Sequence, residues 1–310
     1  MTAERAVRWP VKRLLLVLGL AVTAYAALLL LWGDGHSVSL SVLWSATGWQ
    51  AAGLCLLSYV LRGLRWRLWM THYDRHFGWV EGLRLYLAGY TFTPTPGNVG
   101  EAMRGLMLAR NPLPLPQSLA IFGAERLADL LCLLLLCVPA LLWLVKHSAL
   151  EGMTGWLIAL ALLALLVLAG SIGVVWRNRQ RLLQRFVWLQ EAWVCLSVRP
   201  LVWLGLTLTA WTAQGVAVWL ICSALDVHML PVTAIGFYAV AMVAGALSAL
   251  PAGLGGMELV LAGLLVAQSA STAEALTITV LTRLLTLWLA VGIGVMALLY
   301  SALVRKDIRF

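Results

Sequence analysis

The chain has 310 residues, 62% hydrophobic and 11% charged. Soluble domains carry about 25% charged residues, so this composition excludes a soluble globular protein and indicates a polytopic membrane protein. The net charge of +9 would suit nucleic acid, but the basic residues stand in short clusters between apolar runs. That is the pattern of positive-inside loops, and no nucleic-acid partner is expected.

Residues 1–13 carry Arg5, Arg8, Lys12 and Arg13. Leu14–Trp32 follows and supplies the roughly 20 apolar residues that cross a bilayer core. It is longer than the apolar core of a signal peptide and no small-residue cleavage site follows, so a retained span is expected. A second span is expected over Leu43–Leu61. RGLRWRLWM then sets Arg62, Arg65 and Arg67 beside Trp66 and Trp69. Arg with Trp marks a cytoplasmic interface, and this stretch reads as a belt at the membrane surface. Gly82–Phe92 is too short to cross. TFTPTPGNVGEAMR interrupts it with Pro94, Pro96, Gly97 and Gly100, and Glu101–Ala109 makes a second short arm. A re-entrant helical hairpin is expected over about 82–110. Broken backbone at that depth requires protein or a water-filled cavity around it.

Gln117–Val145 is expected as one long span, about 43 Å at 1.5 Å per residue, hence tilted or protruding. It carries Glu125, Arg126 and Asp129. A span over Gly155–Trp176 and a basic cluster from Arg177 to Arg185 follow. Gln180–Ser197 has its apolar residues at helical spacing and reads as an amphipathic helix on the inner surface. Leu201–Leu225 spans. Pro231–Leu250, the break Pro251–Gly256 and Met257–Gln268 form a second hairpin over about 231–268, and Ala275–Val304 is the last span. The expected fold is an all-α membrane bundle of about six full spans and two re-entrant hairpins. Loops on one side hold 17 of the 22 basic residues, which places both termini in the cytoplasm.

A shift of 157 positions puts Pro94 on Pro251, Glu101 on Glu258 and Arg126 on Arg283 without a gap. Residues 1–150 and 151–310 are therefore read as two repeats. The charge bias brings the hairpins in from opposite faces, so the repeats are inverted. Paired Gly/Pro-broken apolar segments in two halves point to a transport site.

The candidate site residues follow from this pairing. Glu101 and Glu258 each sit near a helix N-terminus, where the dipole favours a carboxylate. A charge at the centre of a span costs about 2.5–3.5 kcal/mol on insertion scales, so Arg126 and Arg283 are expected beside Glu101 and Glu258. These pairs either brace a broken helix or contact a substrate. Arg104, with Leu261 at its shifted place, suits a phosphate or carboxylate, or snorkels to the interface. Glu125 and Asp129 share a helix face at i,i+4, and two like charges there would let one hold a proton. With Arg84, four acids (Glu101, Glu125, Asp129, Glu258) face four arginines (Arg84, Arg104, Arg126, Arg283), and the balance leaves the substrate's charge open. Thr91, Thr93, Thr95 and Asn98 suit a polar headgroup. Pro94, Pro96, Gly97, Gly100, Pro251, Gly253, Gly255 and Gly256 shape the two turns.

The five Cys and five His form no ligand set, so no metal or cofactor is expected. His72, Asp74 and His76 read as an interfacial loop. The chain shows no phosphate-binding loop, no GxSxG and no HExxH, so no catalytic residue and no enzyme is expected.

RGLRWRLWM, TPTPGNVGEAMRGLMLAR, ERLADL, LPAGLGGMELVLAGLL and TRLLTLWLA together resemble the lysylphosphatidylglycerol synthase transmembrane-region family, also called UPF0104, from about Gly53 to Leu298. In the multiple peptide resistance factor the related domain is a lipid flippase fused to a soluble aminoacyl-transferase. The longest non-membrane segment here is about 25 residues, so the resemblance implies the flippase part without the synthase. It assigns Pro96, Gly97, Gly100, Glu101, Arg104, Glu125, Arg126, Asp129, Pro251, Gly253, Gly255 and Glu258 as the family's residues. The resemblance leads one to expect a bulkier residue where Gly256 stands, and the glycine in its place would loosen that turn.

The expected function is translocation of a polar-headed lipid between leaflets of a bacterial inner membrane, through a cavity lined by the two hairpins. Alternatives are a small-solute or ion-coupled transporter, and a non-catalytic membrane subunit that docks a lipid-synthesis enzyme.

Overall fold

A computed structural model describes residues 40–95, 97–109, 111–148, 177, 187–248, 250–305 and 308. The expected spans Leu14–Trp32 and Gly155–Trp176, the first part of the expected surface helix, and Pro96 lie outside them. Among the described residues the chain is helical, with one isolated bridge between Leu108 and Ile308.

Helix α1 spans Ala46–His72. Ser45 caps it, its hydroxyl accepting from the Gly48 amide at 3.1 Å, which satisfies one of the free N–H groups of the first turn. The expected span Leu43–Leu61 is thus only the front of a longer helix. α2 (Trp79–Ala88) continues into a 3₁₀ turn, Gly89–Phe92. After the Pro/Gly break come a second 3₁₀ turn, Val99–Ala102, and a single α-turn, α3 (Met103–Leu106). The expected helical arm Glu101–Ala109 is therefore short, the end of a 3₁₀ turn followed by a single α-turn that stops at Leu106. Its end is held by the Leu108–Ile308 bridge and by the Leu113 amide on the Gly105 carbonyl at 2.9 Å.

α4 (Leu115–Ser148) runs unbroken through Pro139. α5 (Val187–Ser197) packs on α4, with Ala192 and Cys195 buried and Trp193 exposed. It also reaches the end of α1, where the Tyr73 hydroxyl donates to Glu191 at 3.0 Å. Burial, with Cys195 and Glu191 alongside, pushes the Tyr73 phenol above its usual range, so it stays a neutral donor. α6 (Pro200–Ala224) starts with Pro at its first position, where no amide is needed.

α7 (Pro231–Leu247) and α8 (Gly256–Ala267) pack against each other around the second break. α9 (Thr272–Arg305) is interrupted by π-helical turns at Leu284–Trp288 and Tyr300–Arg305. The Tyr59 hydroxyl donates to the Leu285 carbonyl in the first of these at 2.7 Å, tying α1 to α9. α4, α6 and α9 are each long and apolar enough to cross a membrane.

Packing explains the layout. α1 lies along α6, and small residues on both helices are buried, Ala51, Cys55 and Ser58 on α1 and Ala210, Ala213 and Ala217 on α6. Small side chains let helix backbones approach where lipid supplies no hydrophobic drive. α7 comes close to α4 at Gly236, where a Cβ would stand 2.6 Å from the Ala140 nitrogen. On its other side α4 exposes Leu127, Leu131, Leu135, Val138, Leu142 and Val145. Their 3–4 residue spacing makes one continuous apolar stripe, which is tolerable only against lipid or another protein.

The surface-belt reading of RGLRWRLWM is overturned. Arg65 and Trp69 are fully buried, and Arg62 and Trp66 nearly so. Two of the basic residues counted as loop charge therefore lie inside the bundle, because α1 runs three turns beyond the expected span before it ends at Tyr73.

A buried arginine–carboxylate cluster as candidate functional site

The two Pro/Gly breaks are built alike. Asn98 (φ 55°) and Gly255 (φ 86°) each take a left-handed backbone and each precede a helical turn. Gly favours that conformation and Asn tolerates it. Three residues on, each turn presents a carboxylate, Glu101 or Glu258. The two pairs that sequence spacing joins are in contact. Arg126 Nη2 is 3.4 Å from Glu101 Oε2, and Arg283 Nε donates to Glu258 Oε1 at 2.6 Å.

The second site is a closed brace. Glu258 accepts the Gly255 amide at 2.8 Å on its other oxygen. Arg283 Nη2 donates to the carbonyls of Ala252 and Gly253 at 3.2 and 3.1 Å. These bonds satisfy backbone groups that the broken helix leaves open. Gly256 does not loosen the turn. A Cβ there would stand 2.9 Å from the Ser248 Cβ, so close packing requires glycine.

The first site is larger. Arg104 Nη2 donates to Glu101 Oε2 at 2.5 Å and Nη1 to Glu125 Oε2 at 2.9 Å. Its guanidinium also lies 4.3 Å from the centre of the Tyr86 ring. Glu101 takes a further bond from the Thr93 hydroxyl at 2.7 Å. Arg104 is thus neither a free anion contact nor a snorkelling side chain; it is clamped between two carboxylates at 6% exposure.

Glu125 and Asp129 do not face each other as an unrelieved like-charge pair. Glu125 has Arg104. Asp129 has Arg65 at 2.7 Å and Arg126 at 3.2 Å, plus the Trp211 indole N–H at 3.2 Å. Each carboxylate holds its own cation, which removes the repulsion invoked for a shared proton.

Sequence reasoning missed Arg62 and Arg65. Arg65 also donates to Thr207 at 2.9 Å. Arg62 Nη2 donates to Gln214 Oε1 at 3.1 Å, and its guanidinium lies 3.9 Å over the Trp211 ring. The signal was available. Ser58, Arg62, Arg65 and Trp69 recur at 4, 3 and 4 residues, one face of a helix, and all are buried. Arg84, placed with the buried set from sequence, instead donates to Ser301 Oγ at 2.7 Å under the Tyr300 ring. The four-against-four balance is thereby replaced. The first cluster has Arg62, Arg65, Arg104 and Arg126 against Glu101, Glu125 and Asp129, and the second is neutral.

Of the turn hydroxyls, Thr95 serves the turn itself. Thr95 Oγ1 donates to the Phe92 carbonyl at 2.8 Å and accepts the Gly100 amide at 2.9 Å. Beside Glu101, Arg104 and Glu125 lies a cavity of about 10 Å³ also lined by Trp66, Ser118 and Phe122. That is room for one water, so the cluster is closed on this side in this conformation. A wider depression of about 570 Å³ lies at the other end of α6, between Trp219, Ser223, His228, Met229, Leu230 and Gln268. Its lining holds neither carboxylate nor arginine. Among the described residues no three His, Cys, Asp or Glu side chains stand together as metal ligands.

Long apolar helices around buried ion pairs define a multi-pass helical membrane protein. Its sequence matches the model of the lysylphosphatidylglycerol synthase TM region over residues 16–294, nearly its whole length, and the chain belongs to that family. Comparison with curated proteins returns no match.

Proposed function

We propose that the protein is a lipid translocase of a bacterial inner membrane, moving a polar-headed lipid between leaflets. The observation that supports this most is the first cluster, a dense set of buried charges packed against a Pro/Gly-broken turn. Buried charge in a membrane protein is costly to insert and usually marks a substrate path. Family membership adds that the protein belongs with membrane lipid chemistry.

In this reading the two breaks are the tips of re-entrant hairpins from opposite faces, in inverted repeats over 1–150 and 151–310, with both termini cytoplasmic. Glu101, Arg104, Glu125, Arg126 and Asp129 open toward the headgroup while the lipid tails remain in the bilayer. Glu258 and Arg283 keep the opposite hairpin rigid. The chain acts without a catalytic step, and its partner is the lipid.

The test is leaflet exchange of fluorescent phospholipids in vesicles reconstituted with the full chain. Arg104→Ala is expected to slow exchange at least tenfold. Exchange at the protein-free rate with the wild-type chain, or undiminished exchange with Arg104→Ala, rejects the proposal.

A further inference from the structure

We infer that the buried cluster of Arg62, Arg65, Arg104 and Arg126 is a binding site for a phosphate-type oxyanion, borne by a lipid headgroup or free as phosphate. This gives the translocase reading its substrate class and rests on that reading for the lipid source alone.

Charge is the first argument. The cluster is continuous. Arg104 and Arg126 share Glu101, Arg65 and Arg126 share Asp129, and Arg62 stacks on the Trp211 ring whose N–H donates to Asp129. Among the described residues four guanidiniums therefore meet three carboxylates, an excess of one positive charge. Guanidinium stays protonated, so the excess is not relieved by losing a proton. The odd cation is Arg62, which is buried and has an amide oxygen and an aromatic face as partners rather than a carboxylate.

Donor supply is the second argument. The buried Nε atoms of Arg62, Arg65, Arg104 and Arg126, and Arg65 Nη2, lack acceptors, whereas the cluster's unbonded acceptors are Glu125 Oε1 and Asp129 Oδ2. Asp129 Oδ2 already faces Arg126 at 3.2 Å. Buried donors without acceptors cost free energy, and a multi-oxygen anion with forked geometry is the complement of such a set. The contrast within the molecule is direct, because in the second site Arg283 is satisfied by Glu258 and two carbonyls.

Access is the third argument. Arg126 has a side chain 33% exposed, while the Arg65 and Arg104 side chains stand at 0% and 2%. The cluster reaches its surface at Arg126, where an anion would first meet it.

The experiment uses the full chain in detergent micelles. Retention of dioleoyl phosphatidic acid and of uncharged galactosyl diacylglycerol is read by native mass spectrometry, and inorganic phosphate is tested by equilibrium dialysis and as a competitor. Gln214→Glu is the decisive variant. It keeps the acceptor for Arg62 and for the Tyr238 hydroxyl, 3.0 Å away, while supplying the missing negative charge. Phosphatidic acid is expected to be retained at least tenfold over the galactolipid. Gln214→Glu and Arg62→Gln are each expected to weaken that retention tenfold or more, the former without lowering the thermal midpoint. Arg75→Gln, in the loop after α1, is expected to change nothing. Competition by phosphate assigns the headgroup as the source. Phosphate binding without phosphatidic acid retention assigns a free oxyanion and removes the lipid reading, while the site stands. Equal retention of both lipids without phosphate binding, or retention unchanged in Gln214→Glu, overturns the inference. Leaflet exchange of the galactolipid alone would leave the translocase reading intact while this one fails.

Discussion

Arg283 has one carboxylate and two carbonyls, and its worth depends on the carboxylate. Removing one partner of a buried ion pair strands the other, which costs about 3–5 kcal/mol. Glu258→Gln is expected to lower stability by about that amount, seen as a fall in the thermal midpoint in detergent. Glu101→Gln should cost less, about 1.5–3 kcal/mol, because Arg104 keeps Glu125 and Arg126 keeps Asp129. Equal losses in the two variants would contradict the assignment of the second site as brace and the first as network. At this scale much was legible. The spacing of 25 residues in each half joined Glu101 with Arg126 and Glu258 with Arg283. Arg62 and Arg65 were misplaced because arginine beside tryptophan has the same composition at a membrane surface and in a buried cation–π stack.

The helix breaks belong to the scale of elements. Gly255 holds φ 86° and caps α8. An L side chain in that region costs about 1–2 kcal/mol, so Gly255→Ala is expected to destabilise the protein by that amount and to raise protease sensitivity between α7 and α8. Gly253→Ala should do the same, since φ is 65° and a Cβ would stand 3.0 Å from Gly245. At the α4–α7 contact, Gly236→Leu is expected to force the helices apart and cost at least about 1–3 kcal/mol, the range for overpacking. A midpoint unchanged by this variant would show that the two helices are not in close contact. Both breaks were visible as Pro and Gly in apolar sequence. That the first arm would end after a single α-turn was not, because local propensity does not record the Leu108–Ile308 bridge or the Leu113 amide on the Gly105 carbonyl.

For the whole molecule, orientation is open to a direct measurement. All five cysteines are buried and unpaired, so a membrane-impermeant maleimide should label the wild-type chain weakly. In inside-out vesicles Asp74→Cys is expected to react, and in right-side-out cells His228→Cys. The reverse pattern would place the termini outside. Composition alone was enough to determine a helical membrane protein, because backbone in lipid must satisfy its own hydrogen bonds and only long apolar helices or closed barrels do so. The spacing of Glu, Arg, Pro and Gly determined where the helices break and which charges meet across each break. The tertiary structure alone decided that α1 carries two more arginines into the bundle, that Arg104 is clamped, and that one half is a neutral brace while the other keeps a surplus cation. The reason is physical. Periodicity shows which residues share a helix face, but only packing decides whether that face meets lipid, water or another charge.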